Sequence, residues 1–402
     1  MEAVIVATAR TPIGRAGKGS LVDVRPDDLS ATIVQALLDK TPAVDRGEIE
    51  DVIWGCGQPA GEAGYNLGRV VAILAGLDQA PGVTVNRYCS SSLQTIRMAS
   101  HAIRADEGDV FVAGGVETVS RFVNGSLADE VPGSHNVRFA DAEARTNARD
   151  GGGQGPWTPP DGLPDVYIAM GQTAENVAEY AKVTREEMDE FACLSQNRAV
   201  LSQENGFFER EITPVTLADG TVVSKDDGPR PGTTMEKLSQ LKPVFRPDGT
   251  VTAGNACPLN DGAAAVLVMS ERRANQLGLQ PLARVVASGV SAIDPEIMGL
   301  GPIQACTRAL ARAHLAIDDI DLVEINEAFA AQVVPSAREL GIPWEKLNLH
   351  GGAIALGHPF GMTGARIMTT LLNGLEDAGA RYGMESMCVG GGQGMAMIVE
   401  RL

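Results

Sequence analysis

An internal duplication is the feature of this sequence that most restricts its fold. The first third of the chain contains an amphipathic helix followed by AVDRGEIEDVIWG (43–55), and the last third contains a helix followed by LAIDDIDLVEINE (315–327). In both segments an acidic turn leads into a buried strand, and Ile49 aligns with Ile320 at an offset of 320 − 49 = 271. The pattern predicts an α/β unit that occurs twice.

A second pair of segments supports the duplication. DVFVAGGVETVS (109–120) resembles SMCVGGGQGMAM (386–397), and Val112 aligns with Val389 at an offset of 389 − 112 = 277. Two offsets this close, in segments this far apart, indicate a repeated unit and not a chance match.

The duplication gives two reactive side chains equivalent positions. The mean offset of 274 carries Cys89 to position 89 + 274 = 363, close to LGHPFGMTGARIM (356–368), and both regions have the pattern of a loop that enters a helix. We therefore expect Cys89 and His358 at the N-terminal ends of two equivalent helices that meet across a pseudo-two-fold axis.

The segment between the repeats breaks the pattern. Residues 121–250 are rich in Gly, Pro and Asp, but they include a helical stretch at 173–200 with a capping box predicted from Thr184 and Glu187. This composition predicts an inserted loop domain that acts as a lid. The predicted domains are an N-terminal half (1–120 with 251–272), the insertion (121–250) and a C-terminal half (273–402).

Length and charge limit the classes of function. A chain of 402 residues with 44% hydrophobic residues has room for two or three packed units. Its formal net charge of -18 argues against nucleic-acid partners and anionic membranes, which need a cationic surface. An anionic ligand would need a local basic patch.

The six cysteines predict reduced thiols and no metal site. They contain no CxxC pair and stand at positions 56, 89, 193, 257, 306 and 388. No apolar run approaches the roughly 20 residues of a membrane span, Glu2 to Thr8 has the pattern of a strand and not of a leader, and the final three residues are not the peroxisomal Ser-Lys-Leu. We expect a cytoplasmic protein.

Cys89 is a candidate nucleophile in NRYCSSSLQT (86–95), where a buried strand is predicted to end and a helix to begin. The N-terminal end of a helix presents unpaired N–H groups and a positive dipole, which are expected to lower the pKa of a thiol. The alternative is a small buried hydrophobic residue, which describes most single free cysteines.

Two more residues offer proton transfer. His358, in GGAIALGHPFGMTG (351–364), is a candidate base for the Cys89 thiol. Cys388, in CVGGGQG (388–394), adjoins glycines whose N–H groups can face a developing negative charge. The alternatives are a structural histidine held by a backbone carbonyl and a strand-end cysteine beside a tight turn.

Asn326, in NEAFA (326–330), also follows a predicted buried strand. Taken alone, Asn326 and Glu327 favour a helix cap over the fixing of a water and an imidazole. Four such signals at the ends of buried strands, in a duplicated architecture, favour one shared site instead.

These four segments, in this order, resemble those of the thiolases, and the resemblance runs nearly end to end. It includes VIVATARTPIGR (4–15), MGQTAENVA (170–178) and GTVTAGNACPLNDGAAAV (249–266). The resemblance implies a duplicated, five-layered α/β/α/β/α fold with an inserted loop domain. It also implies an acetyl-CoA C-acyltransferase that cleaves 3-oxoacyl-CoA with CoA, by ping-pong transfer, in fatty-acid or related β-oxidation.

The resemblance assigns roles by position. It implies that Cys89 carries the acyl group, that His358 activates it, and that Cys388 moves the proton at the α-carbon. It implies one oxyanion hole from His358 and a water held by Asn326, and a second from the N–H groups of Cys89 and Gly390.

The resemblance also implies the substrate contacts. CoA enters as a substrate, with no tightly bound cofactor, and the assembly is a homodimer or homotetramer. Arg230 matches an arginine near the adenine end, and Met170 and Phe329 match positions along the pantetheine and acyl channel. Cys257 stands where many members have a serine that contacts pantetheine, which leaves that contact open.

Several alternatives stay open on the sequence. Ala169, where several acetoacetyl-forming members have histidine, favours a degradative enzyme with a roomier acyl pocket over a biosynthetic acetyl-CoA acetyltransferase. A ketosynthase would lack the second cysteine, a silent lipid carrier would lack catalytic residues, and a Cys-His hydrolase would release the acyl group to water.

Overall fold

The structure, a computed structural model, describes residues 1–124 and 133–402. Residues 125–132, which belong to the predicted insertion, lie outside the described part. Within that part, none of the helices combines the length and the apolar character needed to cross a membrane.

The strands form one large mixed sheet and a small hairpin. They are β1 (Ala3–Arg10), β2 (Gly14–Arg15), β3 (Asp51–Gly55), β4 (Gly82–Val85), β5 (Val110–Thr118), β6 (Val215–Thr216), β7 (Val222–Val223), β8 (Asn260–Ser270), β9 (Ala283–Ala292), β10 (Leu322–Ile325), β11 (Tyr382–Val389) and β12 (Gln393–Arg401).

The helices alternate with these strands, as the apolar periodicity predicts. They are α1 (Pro26–Asp39), α2 (Leu67–Leu74), α3 (Ser91–Arg104), α4 (Ala140–Asn147), α5 (Met170–Tyr180), α6 (Arg185–Glu204), α7 (Met235–Ser239), α8 (Glu271–Leu277), α9 (Gly301–Ala313), α10 (Ala330–Leu340), α11 (Ala353–Leu356) and α12 (Thr363–Ala378).

The large sheet has the order β10-β11-β12-β9-β1-β8-β5-β3-β4, with β2 beside β8. Each half combines parallel and antiparallel pairs: β3 runs parallel to β5, and β5 antiparallel to β8. The second half repeats this with β10, β11 and β12. The halves join where β1 meets β9, at Val4–Arg284 and Ile5–Ala283.

The sheet register confirms the duplication and corrects one alignment. Val52 of β3 lies opposite Val112 of β5, and Val323 of β10 lies opposite Met384 of β11. The equivalent residues are thus 323 − 52 = 271 and 384 − 112 = 272 positions apart. The predicted match of Val112 with Val389 is wrong by 389 − 384 = 5 residues, because the glycines compared lie inside β5 but after β11.

The halves pack as five layers. Helices α1 and α2 bury their apolar faces on the outer side of the first half, and α9 and α10 do so on the second. Helices α3 and α12 pack together between the two halves of the sheet in a third apolar cluster. This is the predicted five-layered fold, and its central layer carries the two helix starts that concern the site.

Two local predictions need correction. The stretch 173–200 is not one helix: α5 ends at Tyr180, and a capping box at Thr184 and Glu187 begins α6. The strand before Cys89, β4, is an edge strand whose residues are half-buried, because it has a neighbour on one side only. The capping box itself is as predicted.

Candidate active site

Cys89 lies in a single 3-10 turn, Tyr88–Ser90, that leads directly into α3. Tyr88 has φ +42, an uncommon conformation for a residue with a side chain. The turn is held by its polar neighbours: the Tyr88 N–H donates to Asn86 Oδ1 at 2.8 Å, and Ser91 Oγ donates to the Tyr88 carbonyl at 2.7 Å. The polar residues around Cys89 therefore fix the position of its thiol.

The Cys89 thiol is buried, which decides its protonation state. Burial raises its pKa to about 11; the N–H groups of Gly390 and of Cys89 itself, which reach the sulfur, lower it, and the Glu117 charge raises it. The predicted lowering of this pKa is wrong, because the loss of hydration outweighs the N–H groups at the helix start. Cys89 rests as a thiol at neutral pH.

His358 and Cys89 each precede a helix. His358 lies 363 − 358 = 5 residues before the start of α12, and Cys89 lies 91 − 89 = 2 residues before the start of α3. The two helix starts are 363 − 91 = 272 residues apart, so the helices are equivalent as predicted, although this offset carries Cys89 to position 89 + 272 = 361 and His358 lies three residues earlier. The His358 N–H donates to Asn260 Oδ1 at 3.1 Å, which joins its segment to the start of β8.

The hydrogen bonds of the His358 ring define its tautomer. Thr363 Oγ1 donates to the Pro359 carbonyl at 2.7 Å, so it accepts from Nδ1 of His358, which is also 2.7 Å away. Nε2 is then unprotonated and faces Asn326 Nδ2 at 3.2 Å. Burial, followed by the Arg366 charge, lowers the pKa of His358 to about 3, so the ring is neutral. It can accept a proton at Nε2.

Asn326 contacts the imidazole and does not cap a helix. The following helix, α10, starts after Phe329 and has no side-chain cap, so the cap interpretation is wrong. The Asn326 N–H donates to the Ser386 carbonyl at 2.9 Å, which links it to the strand of Cys388. Its Oδ1 atom is buried without a hydrogen-bond partner among the described residues.

Three thiols lie close enough to influence one another. Cys388, at the end of β11, is fully buried; burial and then the nearby Cys89 and Cys257 raise its pKa well above the ordinary value. Burial, Cys89 and Glu327 likewise raise the pKa of Cys257. The Cys257 N–H donates to the Ala328 carbonyl at 3.0 Å, which seats it beside the NEAFA segment.

Gly390 follows Cys388 and faces the Cys89 turn. A Cβ atom there would lie 3.6 Å from the Tyr88 ring and 3.9 Å from the Met170 sulfur. Phe329 packs edge-on against Phe245, with ring centres 6.0 Å apart. Met170 and Phe329 belong to the apolar cluster that also contains Cys388.

Arg230 lies apart from this group, on the surface of the inserted segment. Its N–H donates to Gln196 Oε1 at 2.9 Å, and partial burial followed by the neighbouring Arg15 lowers its pKa. Two residues earlier, Gly228 packs so closely on the segment before His358 that a Cβ atom would lie 2.1 Å from the Ala355 carbonyl. Arg15 influences Arg230, but the Asp227 carboxylate accepts from the Arg15 N–H at 3.0 Å, so an anion would meet charges of both signs here.

The sequence interpretation missed the residues that hold the His358 segment, apart from Glu327, which it named without this role. Thr363 and Asn260 contact His358 directly, and Glu327 accepts hydrogen bonds from Ser195, Asn348 and the Ile354 N–H at 2.6, 2.8 and 3.0 Å. The role of these buried side chains depends on contacts between distant parts of the chain, so no local sequence pattern reveals it. In the described residues, no group of three or more His, Cys, Asp or Glu is placed to bind a metal.

Comparison with known proteins agrees with this geometry. The family model described as "Thiolase, N-terminal domain" matches residues 3–272, and "Thiolase, C-terminal domain" matches residues 279–401. This chain belongs to the thiolase family. The match supports thiolase activity and makes the protein an acyltransferase.

Individual thiolases resemble it over their full length. A 3-ketoacyl-CoA thiolase of Aeromonas hydrophila is 45% identical, with 100% of each chain covered. A beta-ketoadipyl-CoA thiolase of Acinetobacter baylyi is 44% identical, also with 100% of each covered. The crystal structure of the Bacillus anthracis acetyl-CoA acetyltransferase is 39% identical, with a TM-score of 0.85 over 100% of this chain and 99% of that chain.

Proposed function

We propose that this protein is a degradative thiolase that cleaves 3-oxoacyl-CoA with CoA, giving acetyl-CoA and a shortened acyl-CoA. Two observations carry the proposal: the N–H groups of Cys89 and Gly390 reach the Cys89 sulfur, which also influences Cys388, and the buried His358 ring is neutral. The name of the Aeromonas hydrophila relative and the alanine at position 169 support the degradative class.

In the first half-reaction Cys89 Sγ attacks the 3-oxo carbon while its proton passes to Nε2 of His358. The transfer accompanies the attack, because a buried thiol with a pKa of about 11 does not ionise beside an imidazole whose pKa is about 3. The N–H groups of Cys89 and Gly390 both reach the sulfur, which supports their role in binding the oxyanion that forms on the attacked carbon.

The carbon–carbon bond then breaks, leaving an acyl group on Cys89 and the enolate of acetyl-CoA. His358 stabilises the enolate oxygen together with a water held by Oδ1 of Asn326, which has no partner among the described residues. The Cys388 thiol, whose raised pKa keeps it protonated, donates its proton to the α-carbon. In the second half-reaction the CoA thiol gives its proton to the Cys388 thiolate and attacks the thioester; the acyl group leaves with CoA, and Cys89 recovers its proton from His358.

The proposal extends to the surroundings of this site. Met170 and Phe329 line the acyl and pantetheine channel, Cys257 faces the pantetheine where relatives have serine, and the insertion at 121–250 acts as a lid. CoA is a substrate and no cofactor is held tightly. The protein works in the cytoplasm, as the sequence pattern leads us to expect, and it forms a homodimer or homotetramer, as the family resemblance implies.

Arg230→Ala is expected to raise KM for CoA by about 10-fold and to leave kcat nearly unchanged, because a phosphate contact far from the reacting atoms binds ground state and transition state alike. Steady-state thiolysis at varied CoA concentration measures this. Lys242→Ala, an exposed cation on the same insertion, serves as the control and is expected to leave both constants unchanged. An equal effect of the two variants would indicate general charge attraction.

The substrate class is tested by rates of CoA-dependent cleavage over a series of 3-oxoacyl-CoA lengths. We expect kcat/KM to rise by about 10-fold or more from acetoacetyl-CoA to a substrate four methylenes longer, because each buried methylene adds favourable binding. Including 3-oxoadipyl-CoA shows whether a terminal carboxylate is preferred. Cleavage of acetoacetyl-CoA alone would identify a biosynthetic acetyltransferase instead.

A further inference from the structure

Glu117 is a fully buried carboxylate near the end of β5, and its hydrogen bonds join the two repeats. Its Oε2 atom accepts from the Gly57 N–H at 2.8 Å and from the Gly361 N–H at 2.9 Å. Its Oε1 atom accepts from the Gln58 N–H at 3.1 Å and faces the Cys56 sulfur at 3.7 Å. One side chain of the first half thus binds the loop after β3 and the turn after His358.

The backbones around Glu117 are in direct contact. A Cβ atom at Gly361 would lie 2.2 Å from the Val116 carbonyl, and one at Gly115 would lie 2.2 Å from the Gly361 carbonyl. The turn that follows His358 therefore rests on β5 with no space for a side chain between them. This contact and the Glu117 carboxylate both help to fix its position.

We propose that Glu117 is a positioning residue for His358, which it holds in register with Cys89 by fixing the turn from Pro359 to Gly361. The inference rests on the proposed role of His358 as the proton acceptor. Glu327 holds the other side of the same segment through the Ile354 N–H. The backbone N–H groups that the two carboxylates bind, those of Ile354 and Gly361, lie on either side of His358 in sequence, and Glu117 connects it to the half that carries Cys89.

The charge of Glu117 also acts on the nucleophile. Burial raises the pKa of Glu117 to about 7, although the three N–H groups and Cys56 lower it. The other groups near it are Glu62 and Arg121, which line the same small cavity. After burial, the Glu117 charge raises the pKa of Cys89, whereas the N–H groups of Gly390 and Cys89 lower it. Removal of the carboxylate charge should therefore make Cys89 easier to ionise.

Glu117→Gln tests the proposal, because an amide keeps one acceptor oxygen but turns an N–H₂ group toward backbone N–H groups. We expect kcat to fall by about 10- to 100-fold with KM within about 3-fold, as for a displaced catalytic group. We also expect the pH profile of Cys89 alkylation by iodoacetamide to shift to lower pH. A merely destabilised protein would not combine slower turnover with faster alkylation.

The matched control is Glu62→Gln, a carboxylate on the same cavity whose partners are Arg25 and Arg121. It is expected to leave both kcat and the alkylation profile unchanged. If Glu117→Gln does not fold, Gly57→Ala gives the second test. A Cβ atom there would lie 2.9 Å from Glu117 Oε2 and 3.0 Å from the Cβ of Phe360, so it presses on the carboxylate and on the His358 turn without removing charge. We expect a roughly 3- to 10-fold lower kcat at unchanged KM.

The results separate this inference from the proposed function. If His358→Ala is inactive while Glu117→Gln and Gly57→Ala turn over normally, Glu117 does not position His358 and the proposed function stands. If His358→Ala remains fully active, the proposed role of His358 is wrong and the inference fails with it. Reduced kcat in both Glu117→Gln and Gly57→Ala, with the alkylation shift in Glu117→Gln only, supports the positioning role.

Discussion

Cys89→Ala is expected to lose CoA-dependent cleavage by roughly 10⁴-fold or more and to form no acyl-enzyme, since removing a nucleophile leaves only binding and the oxyanion donors. Incubation with a 3-oxoacyl-CoA, followed by mass spectrometry of the intact chain, shows whether an acyl group is attached. The wild-type protein should carry one acyl group when CoA is withheld. The variant should carry none.

The control for this result is Cys193→Ala. Cys193 is a half-buried thiol on α6 that faces the Thr233 carbonyl at 3.6 Å, away from the cluster of three thiols. Its substitution should change the rate by less than about 2-fold, as is usual for sites outside special structural features. Acylation of Cys89→Ala at another cysteine, with turnover retained, would contradict the assignment of the nucleophile.

Cys388→Ala is expected to separate the two proton-handling roles. It should lower cleavage and condensation by about 10²- to 10⁴-fold, the usual contribution of a positioned acid or base. Acylation of Cys89 by an activated thioester should remain measurable, because that step uses His358 and the N–H groups of Cys89 and Gly390. The burst of acyl-enzyme in a rapid-quench experiment measures it apart from the steady state.

Cys306→Ala provides the matched control, because Cys306 is also fully buried and burial raises its pKa to about 12. Both substitutions remove a buried sulfur at a similar cost in packing, but Cys306 belongs to α9 and lies outside the proposed proton path. Equal losses of acylation and of condensation in Cys388→Ala would show that the two thiols do not divide the work.

Much of the architecture could be predicted from residue pattern alone. The acidic turn and strand that recur at an offset of 271 predicted the two halves, because amphipathic periodicity depends on residues near one another in sequence. The second alignment was wrong because a Gly-Gly pair is compatible with two structures. It fits a strand that another segment approaches closely, as in β5, and it fits a turn, as after β11. Only the sheet register distinguishes these two cases.

The active-site residues, too, could be predicted from the sequence only in part. The reactive residues Cys89, His358 and Cys388 stand out in sequence because they occur at strand ends beside glycine and small polar residues. Taken alone, Asn326 favoured a helix cap, and only the four segments together favoured a shared site; its partner is an imidazole 32 residues away (358 − 326 = 32). The domain boundaries and the residue roles stay predictions.

The sequence by itself determined that this chain contains two copies of one α/β unit, with a thiol and an imidazole before matching helices. The tertiary structure decided the protonation states. Cys89 is a thiol despite its place near a helix start, and His358 is neutral, because burial removes water from both groups. It also decided which carboxylate holds the histidine turn: Glu117 reaches Gly361 across 361 − 117 = 244 residues, a contact that no local pattern encodes.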